Sequence, residues 1–535
     1  MPIQYRIHPA IGVARVGDSP DDYFIGPEAP RVVPIPVQAD ETPRADAKFR
    51  DARNRIKRQG ARFRVYEYTT DARGNTTRVR EITAQDAEIE WTVHLANRKA
   101  AALGFNKSER RNASVAEEKL VIDAGAQKIS GARKTLQRVG GNFLGLRVDL
   151  GDLLTDKMGR LIVLGGFGKS QSVPPGVPLE NYANNDSWHD DISDGPVRAT
   201  IRLKNSNEKF SADPAWVVVA PPSFAPEIEN IITLYDIVSD QMAQFEPSLA
   251  VTDESRPSFT RDIFPLLRRT SQMHWVSDSS ARGHAPVKRG HFLSRVAMLS
   301  RDDEDARADR EKIFKRLRNP SGGGGNMPKL PARVENDLLA GTVTLTATQY
   351  KRMELWAQGK FIADWNGAEP APISFENISV DEQPRALDRA ALDACVGAGR
   401  FPGIEVGQVM LEKETYDRAR PFRINENLPP GHLSARMALP WQADFRDCEF
   451  QEDIGLDWWP GQRPNEIFRD VNGELKREAW VPKNAEWDGD DTRRIAMVKG
   501  WSGLGFIVKK IIGGEEKFVE DERTLEAEGG KQSAD

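Results

Sequence analysis

The sequence predicts an α+β protein, rich in strands, in three regions: a strand-rich stretch over 1–220, a mainly helical one over 221–380, and a mixed C-terminal region over 381–535. Three observations carry this expectation. Apolar and polar residues alternate with a period of two through much of the first region, with Gly and Pro as punctuation. In the second, apolar residues recur at helical spacing. The third holds both cysteines of the chain, Cys395 and Cys448, in separate segments. At 535 residues the chain exceeds what one hydrophobic core usually supports, so two to four packed units are expected.

Taken in order, Ile3 to about Pro36 suits short strands and turns. The run FRVYEYTTDARGNTTRVREITAQDAEIEWTVHL, Phe63 to Leu95, reads as two strands around the Asp71–Asn75 turn and a third after a polar break. Asn97 to Lys134 is polar and charged and is expected as an excursion on the surface. Arg147 to Gly165 repeats the strand pattern around a turn at Lys157 to Gly159, and Ala199 to Leu203 and Trp216 to Ala220 add strands. Between them NYANNDSWHDDISDGPV, Asn181 to Val197, is dense in turn formers and offers polar side chains for chemistry.

Helical spacing marks Glu227 to Gln241, Arg261 to Arg269, Asp302 to Leu317 and Ala347 to Gly359, the last with Thr346 as its cap. Gly322 to Gly325 suggests a hinge or lid; Asn-Met-Pro follows it, which does not fit a phosphate-cradling loop. Arg385 to Cys395 is expected as a helix capped by Asp388 and ended by Gly397 and Gly399, which places Cys395 at its C-terminus. Phe401 to Gly407 then turns, and a strand is expected toward Met410.

The 75 basic and 80 acidic residues are interspersed and the net charge is −5, which argues against nucleic acid or an acidic membrane as partner. The start lacks a basic stretch followed by an apolar one, and no segment is long enough to cross a bilayer, so cytoplasmic residence is expected. Two cysteines make no disulfide framework. The seven histidines show no metal-ligand spacing, and no Gly-x-Ser-x-Gly elbow or Gly-rich dinucleotide fingerprint occurs, so neither a metal nor external NAD or flavin is expected.

Long segments nevertheless resemble one family. They include RIHPAIGVARVGDS, GRLIVLGGFGKS, NYANNDSWHDDISDGPV, WVVVAPPSFAPEIENIITLYD, CVGAGRFPGIEVG, MALPWQADFRDC, WWPGQRPNEIF and WSGLGFIVKK, and they span nearly the full length. The family is that of the cysteine tryptophylquinone amino-acid oxidases, typified by L-lysine 6-oxidase and quinoprotein glycine oxidase. The resemblance implies a quinone made by adding two oxygens to a tryptophan and joining that ring to a cysteine through a thioether. On this chain the cysteine is Cys395 and the tryptophan Trp441, with Trp458 and Trp459 as runners-up. It further implies a quinoprotein oxidase that takes a primary amine or amino acid and O2 to an aldehyde or oxo acid, ammonia and hydrogen peroxide. A separate flavoprotein maturation partner and a homo-oligomer are implied as well.

The base that removes the substrate proton is sought among Asp388, Asp393, Glu405, Asp444 and Asp447. In the family an acid stands one helical turn before the cysteine, a position held here by Ala391. Asp393 is the choice, although it points off the Cys395 face, while Asp388 lies on that face and can instead cap the helix. Arg400 offers a cation for a substrate carboxylate, or is a surface arginine. In the Asn181–Val197 loop, Asp186, Asp190, Asp191 and Asp194 with Tyr182 and His189 can shape a pocket, though turn capping accounts for most of them. Cys448 reads as a buried structural cysteine. Two other readings stand beside the oxidase: a catalytically silent relative acting as a scaffold or binding protein, and, with little support, a metal-dependent hydrolase.

Overall fold

The computed structural model describes residues 2–37, 43–44, 48–104, 109–134, 137–206, 208–320, 345–397, 405–406, 408–447, 461–482 and 490–524. Sixteen strands form one sheet: β1 (Ile3–His8), β2 (Ile11–Arg15), β3 (Tyr23–Ile25), β4 (Ile35–Pro36), β5 (Arg58–Thr70), β6 (Thr76–Ile82), β7 (Ala87–Val93), β8 (Ala96–Asn97), β9 (Ile122–Asp123), β10 (Gln127–Ser130), β11 (Gln137–Phe143), β12 (Leu146–Thr155), β13 (Leu161–Gly165), β16 (Ser193–Leu203), β17 (Lys209–Ser211) and β18 (Ala215–Ala220). A separate ribbon pairs β14 (Gln171–Ser172) with β15 (Trp188–His189), and two C-terminal hairpins pair β19 (Glu466–Val471) with β20 (Glu474–Ala479) and β21 (Phe506–Ile512) with β22 (Glu515–Asp521).

The main path runs β10-β7-β16-β18-β2-β5-β13-β12-β11, with β18 and β2 parallel. It curls until its ends approach. Gln137 Nε2 on β11 donates to Gln127 Oε1 on β10 at 3.1 Å, leaving a nearly closed, barrel-like sheet.

Period-two alternation explains which side chains fill the interior. β7 buries Ile89, Trp91 and Val93 and turns Glu88 and Glu90 outward, and the buried Trp91 indole donates to Gly159 O at 2.9 Å. β2 and β18 are buried at every residue because both of their faces are covered. Ala14, Val217 and Val219 point into the main core with Phe63 and Trp91. Ile11, Val13, Trp216 and Val218 point the other way, into a second core with Leu234, Ile237 and Leu392. Gly12 belongs to the inner face: a Cβ there would lie 2.4 Å from Phe63 Cζ, so the ring crosses where only glycine leaves room.

Nine α-helices lie among the described residues: α1 (Leu234–Met242), α2 (Phe264–Gln272), α3 (Asp278–His284), α4 (Val296–Leu299), α5 (Glu304–Phe314), α6 (Ala347–Ala357), α7 (Gln383–Asp393), α8 (Trp441–Asp447) and α9 (Asp490–Gly500). The middle of the chain is helical as expected, with its own core around Phe259, Leu267, Trp356 and Phe361. Thr346 does cap α6, in a capping box with Gln349. No helix among the described residues is long and apolar enough to cross a membrane.

Four local expectations are corrected. The helix expected from Glu227 starts only at Leu234, because Thr233 and Asp236 form a reciprocal capping box, worth about 1 kcal/mol, that fixes the first turn there. Asp388 does not cap its helix: α7 begins at Gln383, and the Asp388 carboxylate holds His8 Nδ1 at 2.9 Å and the Ala10 amide at 2.6 Å. Residues 97–134 are not all surface, since Lys99, Arg111 and Asn112 are buried. Near Met410 the chain forms a 3-10 turn, Gln408–Leu411, in place of a strand. Gly322–Gly325 and Gly399 lie outside the described residues.

Candidate active site

Trp441 opens α8 directly after Pro440, so its amide is one of the first-turn donors that the helix itself cannot satisfy. That amide donates to Asp190 Oδ2 at 3.0 Å, which places a carboxylate at a helix N-terminus. Asp190 is itself fully buried and is met by the Lys99 ammonium at 2.5 Å, likewise fully buried. Asn97 Nδ2 adds a contact to Asp190 Oδ1 at 2.9 Å. Burial pulls the Lys99 ammonium below its ordinary range, and Asp190 opposes that pull.

The Trp441 indole is buried and lies edge-on to Phe445, ring centres 4.9 Å apart, and to Trp501 at 5.4 Å. Its Nε1 has no hydrogen-bond partner among the described residues. Gln442, next in α8, donates to Gly168 O at 3.0 Å and accepts from Ser170 Oγ at 2.7 Å. Gly168 has φ +71°, and a Cβ there would lie 2.1 Å from Trp501 Cζ2, so this glycine lets the loop lie flat on the ring that faces Trp441.

Cys395 follows the C-terminus of α7 as a free, buried thiol. It donates to Ala391 O at 3.1 Å. Arg15, the last residue of β2, sets one Nη2 3.5 Å from Sγ and 3.1 Å from Ala394 O, and pairs with the buried Glu405 at 3.0 Å. Burial and the nearby Glu405 push the thiol pKa well up, so the sulfur is protonated at neutral pH. Cys395 belongs to the second core, with Leu392 and Val406. Trp441 belongs to the main core, together with Val396, the neighbour of Cys395 in the chain. Cys395 and Trp441 therefore fall in separate clusters that adjoin at Val396.

Asp393 is enclosed among cations. Arg389 Nε lies 2.7 Å from Oδ2 and Arg269 Nη2 3.5 Å from Oδ1, while Thr233 Oγ1 donates to Oδ1 at 3.3 Å. Burial raises its pKa against the pull of both guanidiniums. The carboxylates of the Asn181–Val197 loop divide by role. Asp186 accepts from the Asn112 amide at 2.7 Å, and Asp194 accepts from Trp216 Nε1 at 2.9 Å and Ser434 N at 2.8 Å. Asp190 anchors Trp441. Asp191 is buried, and among the described residues its Oδ1 meets no donor in hydrogen-bond geometry. Asp447 pairs with Arg494 at 2.8 Å, and Asp444 is buried. Among the described residues no group of three His, Cys, Asp or Glu could hold a metal ion. Cys448, Trp458, Trp459 and Arg400 lie outside the described residues.

Lys99, Arg15 and Trp501 were not singled out from the sequence as parts of the site. Lys99 lies in a charged stretch that gives no sign of burial, and Arg15 ends an alternating strand whose last charge reads as solvated. Arg15 and Trp501 did carry one signal, since they lie in the RIHPAIGVARVGDS and WSGLGFIVKK segments quoted above.

Residues 8–219 match the family described as L-Lysine epsilon oxidase N-terminal, and residues 325–466 match the L-lysine epsilon oxidase C-terminal domain. The first match covers most of the barrel-like sheet and the second the segments of Cys395 and Trp441, so the chain belongs to the L-lysine epsilon-oxidase family. Among individual proteins it is 29% identical over 543 residues to L-lysine 6-oxidase of Marinomonas mediterranea, covering 83% of this chain and 71% of that protein. Its fold is that of the solved L-Lys epsilon-oxidase from Marinomonas mediterranea, with a TM-score of 0.72 at 24% identity over 97% of this chain and 94% of that one. The Schiff base intermediate of that oxidase with L-Lys superposes equally, at 0.72, 24%, 97% and 95%.

Proposed function

We propose that the chain is an oxidase that deaminates a primary amine or amino acid with O2, giving an aldehyde or oxo acid, ammonia and hydrogen peroxide, by means of a cysteine tryptophylquinone formed from Cys395 and Trp441. The observation that carries this reading is the family match through both the sheet and the Cys395–Trp441 segments. The residues present suit such a group chemically: Cys395 is a buried thiol, and Trp441 is a buried indole whose nitrogen lacks a partner among the described residues. A quinone at Trp441 would supply an electrophilic carbonyl and a two-electron sink that no ordinary side chain offers.

The rest is the work of this chain's own residues. Asp190, steadied by Lys99, fixes the amide of Trp441 and with it the start of α8. Phe445 and Trp501 exclude water from two sides of the indole. Arg15 and Glu405 fix the segment around Cys395, Arg15 through Ala394 O and Glu405 by accepting the Val396 amide at 3.3 Å. Maturation by a separate flavoprotein and assembly into a homo-oligomer belong to the same proposal.

Intact and tryptic mass spectra test it. Chain produced with such a flavoprotein should carry two added oxygens, with loss of hydrogens, on one peptide pair joining the Cys395 and Trp441 segments, and should release hydrogen peroxide with some primary amine. A mass equal to the bare sequence in that preparation would refute the oxidase and favour the silent relative that Ala391 raises. A link to Trp458 or Trp459 would keep the activity and move the site.

A further inference from the structure

Asp191 is a buried carboxylate that directly follows Asp190, the residue holding the Trp441 amide. Its Oδ2 accepts from the Lys169 amide at 3.2 Å and lies so near Gly166 that a Cβ there would come within 2.5 Å of it. The loop that wraps it, Gly166 to Lys169, is the one whose Gly168 packs on Trp501 and binds Gln442 of α8. On its other side the chain neighbour Asp190 holds the Trp441 amide. Asp191 is therefore joined to the Trp441 segment by two independent short paths. Among the described residues its Oδ1 is buried without a donor, and Trp441 Nε1 is buried without an acceptor. Native proteins rarely leave such atoms unpaired, and sites of chemistry are where they do.

From this cluster we infer that Asp191 is the proton acceptor of the amine-oxidising centre at Trp441, an inference that rests on the oxidase reading above. As the C–H bond on the carbon bearing the nitrogen breaks, Asp191 Oδ1 takes the proton and becomes a neutral acid. A quinone at Trp441 would accept the electron pair left behind and hand it to O2, which would leave as hydrogen peroxide with this proton and the one lost from the amine nitrogen as the C=N bond forms. The carboxyl is suited to this exchange. Burial, with the negative Asp190 beside it, pushes its pKa up to about 7, while backbone N–H groups of residues 167 to 169 pull the other way. Lys99 faces Asp190 and tempers that neighbour's charge. Asp393, by contrast, has a guanidinium against each oxygen.

The test uses the mature chain and two readouts. In Asp191→Asn, the mass of the Cys395–Trp441 cross-link should be unchanged, while C–H cleavage in single turnover should slow roughly 100- to 10,000-fold. A full primary isotope effect with substrate deuterated at that carbon, and loss of the pH dependence near neutrality, should accompany the slowing. Asp191→Glu should recover part of the rate. Infrared difference spectra of the wild-type chain should show a protonated carboxyl that loses its proton near pH 7 and is missing from Asp191→Asn. A variant that keeps the wild-type rate and pH profile overturns the inference. So does a wild-type spectrum without that carboxyl, which needs no variant to mature. A wild-type chain with neither cross-link nor amine turnover fails at the earlier step and overturns both proposals, and the mass spectrum separates that case from the others.

Discussion

Replacing Lys99 with Met removes one charge from an ion pair whose two side chains are both fully buried, while nearly keeping the volume. Breaking such a pair from one side costs about 3–5 kcal/mol, because the surviving charge stays in a low-dielectric site. Asp190 keeps its contacts with Asn97, Ile192 and the Trp441 amide, so the lower end of that range, about 3 kcal/mol, is expected. Against a typical total stability of about 5–15 kcal/mol this is a large fraction. Urea unfolding followed by tryptophan fluorescence should show a lower midpoint with an unchanged slope. Adding Asp190→Asn to Lys99→Met removes the stranded charge and should recover most of the loss, a strong non-additivity that a double-mutant cycle reads directly. If Lys99→Met lies within about 0.5 kcal/mol of wild type, or if the two costs simply add, the pair does not hold the Trp441 end of the site as argued.

Asp191→Asn should change how stability depends on pH. The folded-state pKa, about 7, stands above the ordinary carboxylate value of 3.8, so the group's contribution is fully present in acid and lost as pH rises through 7. Wild type should therefore lose roughly 4 kcal/mol relative to the variant between pH 4 and pH 8, and parallel urea curves for the two would refute the shift. Asp393→Asn strips two guanidiniums of a shared carboxylate and should cost about 3 kcal/mol while leaving the pH profile of turnover in place; a displaced profile would return the base to Asp393. Gly168→Ala drives a methyl into Trp501 at a positive φ and should cost about 2–3 kcal/mol, with altered near-ultraviolet circular dichroism from the Trp441–Trp501 pair. An unchanged spectrum would mean that the loop is not seated on that ring.

Much of the sheet was legible because its signal is local. Ala87–Val93 alternates strictly, and the turns at Asp71–Asn75 and Lys157–Gly159 carry their own Gly residues. Helix starts are legible where caps mark them: Thr346 marks α6, and Thr233 with Asp236 three residues on marks α1, seven residues later than the apolar spacing from Glu227 suggests. The site was legible only in part. Cys395, Trp441 and the Asp190–Asp191 pair lie in segments whose family likeness is visible residue by residue. What joins them is set by pairings between distant parts of the chain, such as Lys99 with Asp190, Arg15 with Glu405, and Asp388 with His8 at a separation of 380 residues. No local pattern announces which charged side chain will be drawn inside, so Asp388 read as a cap and Lys99 as solvated.

The placement of sulfur and indole in adjoining cores bears on the mechanical integrity of the molecule. A thioether between them would rivet the helical layer outside β2 and β18 to the barrel interior and close a covalent ring from position 395 to 441. By loop-closure entropy such a ring is worth about 4 kcal/mol against unfolding. Maturation would then do more than create an electron acceptor: unprocessed chain would be free to shed its outer layer first, whereas processed chain would come apart only as a whole.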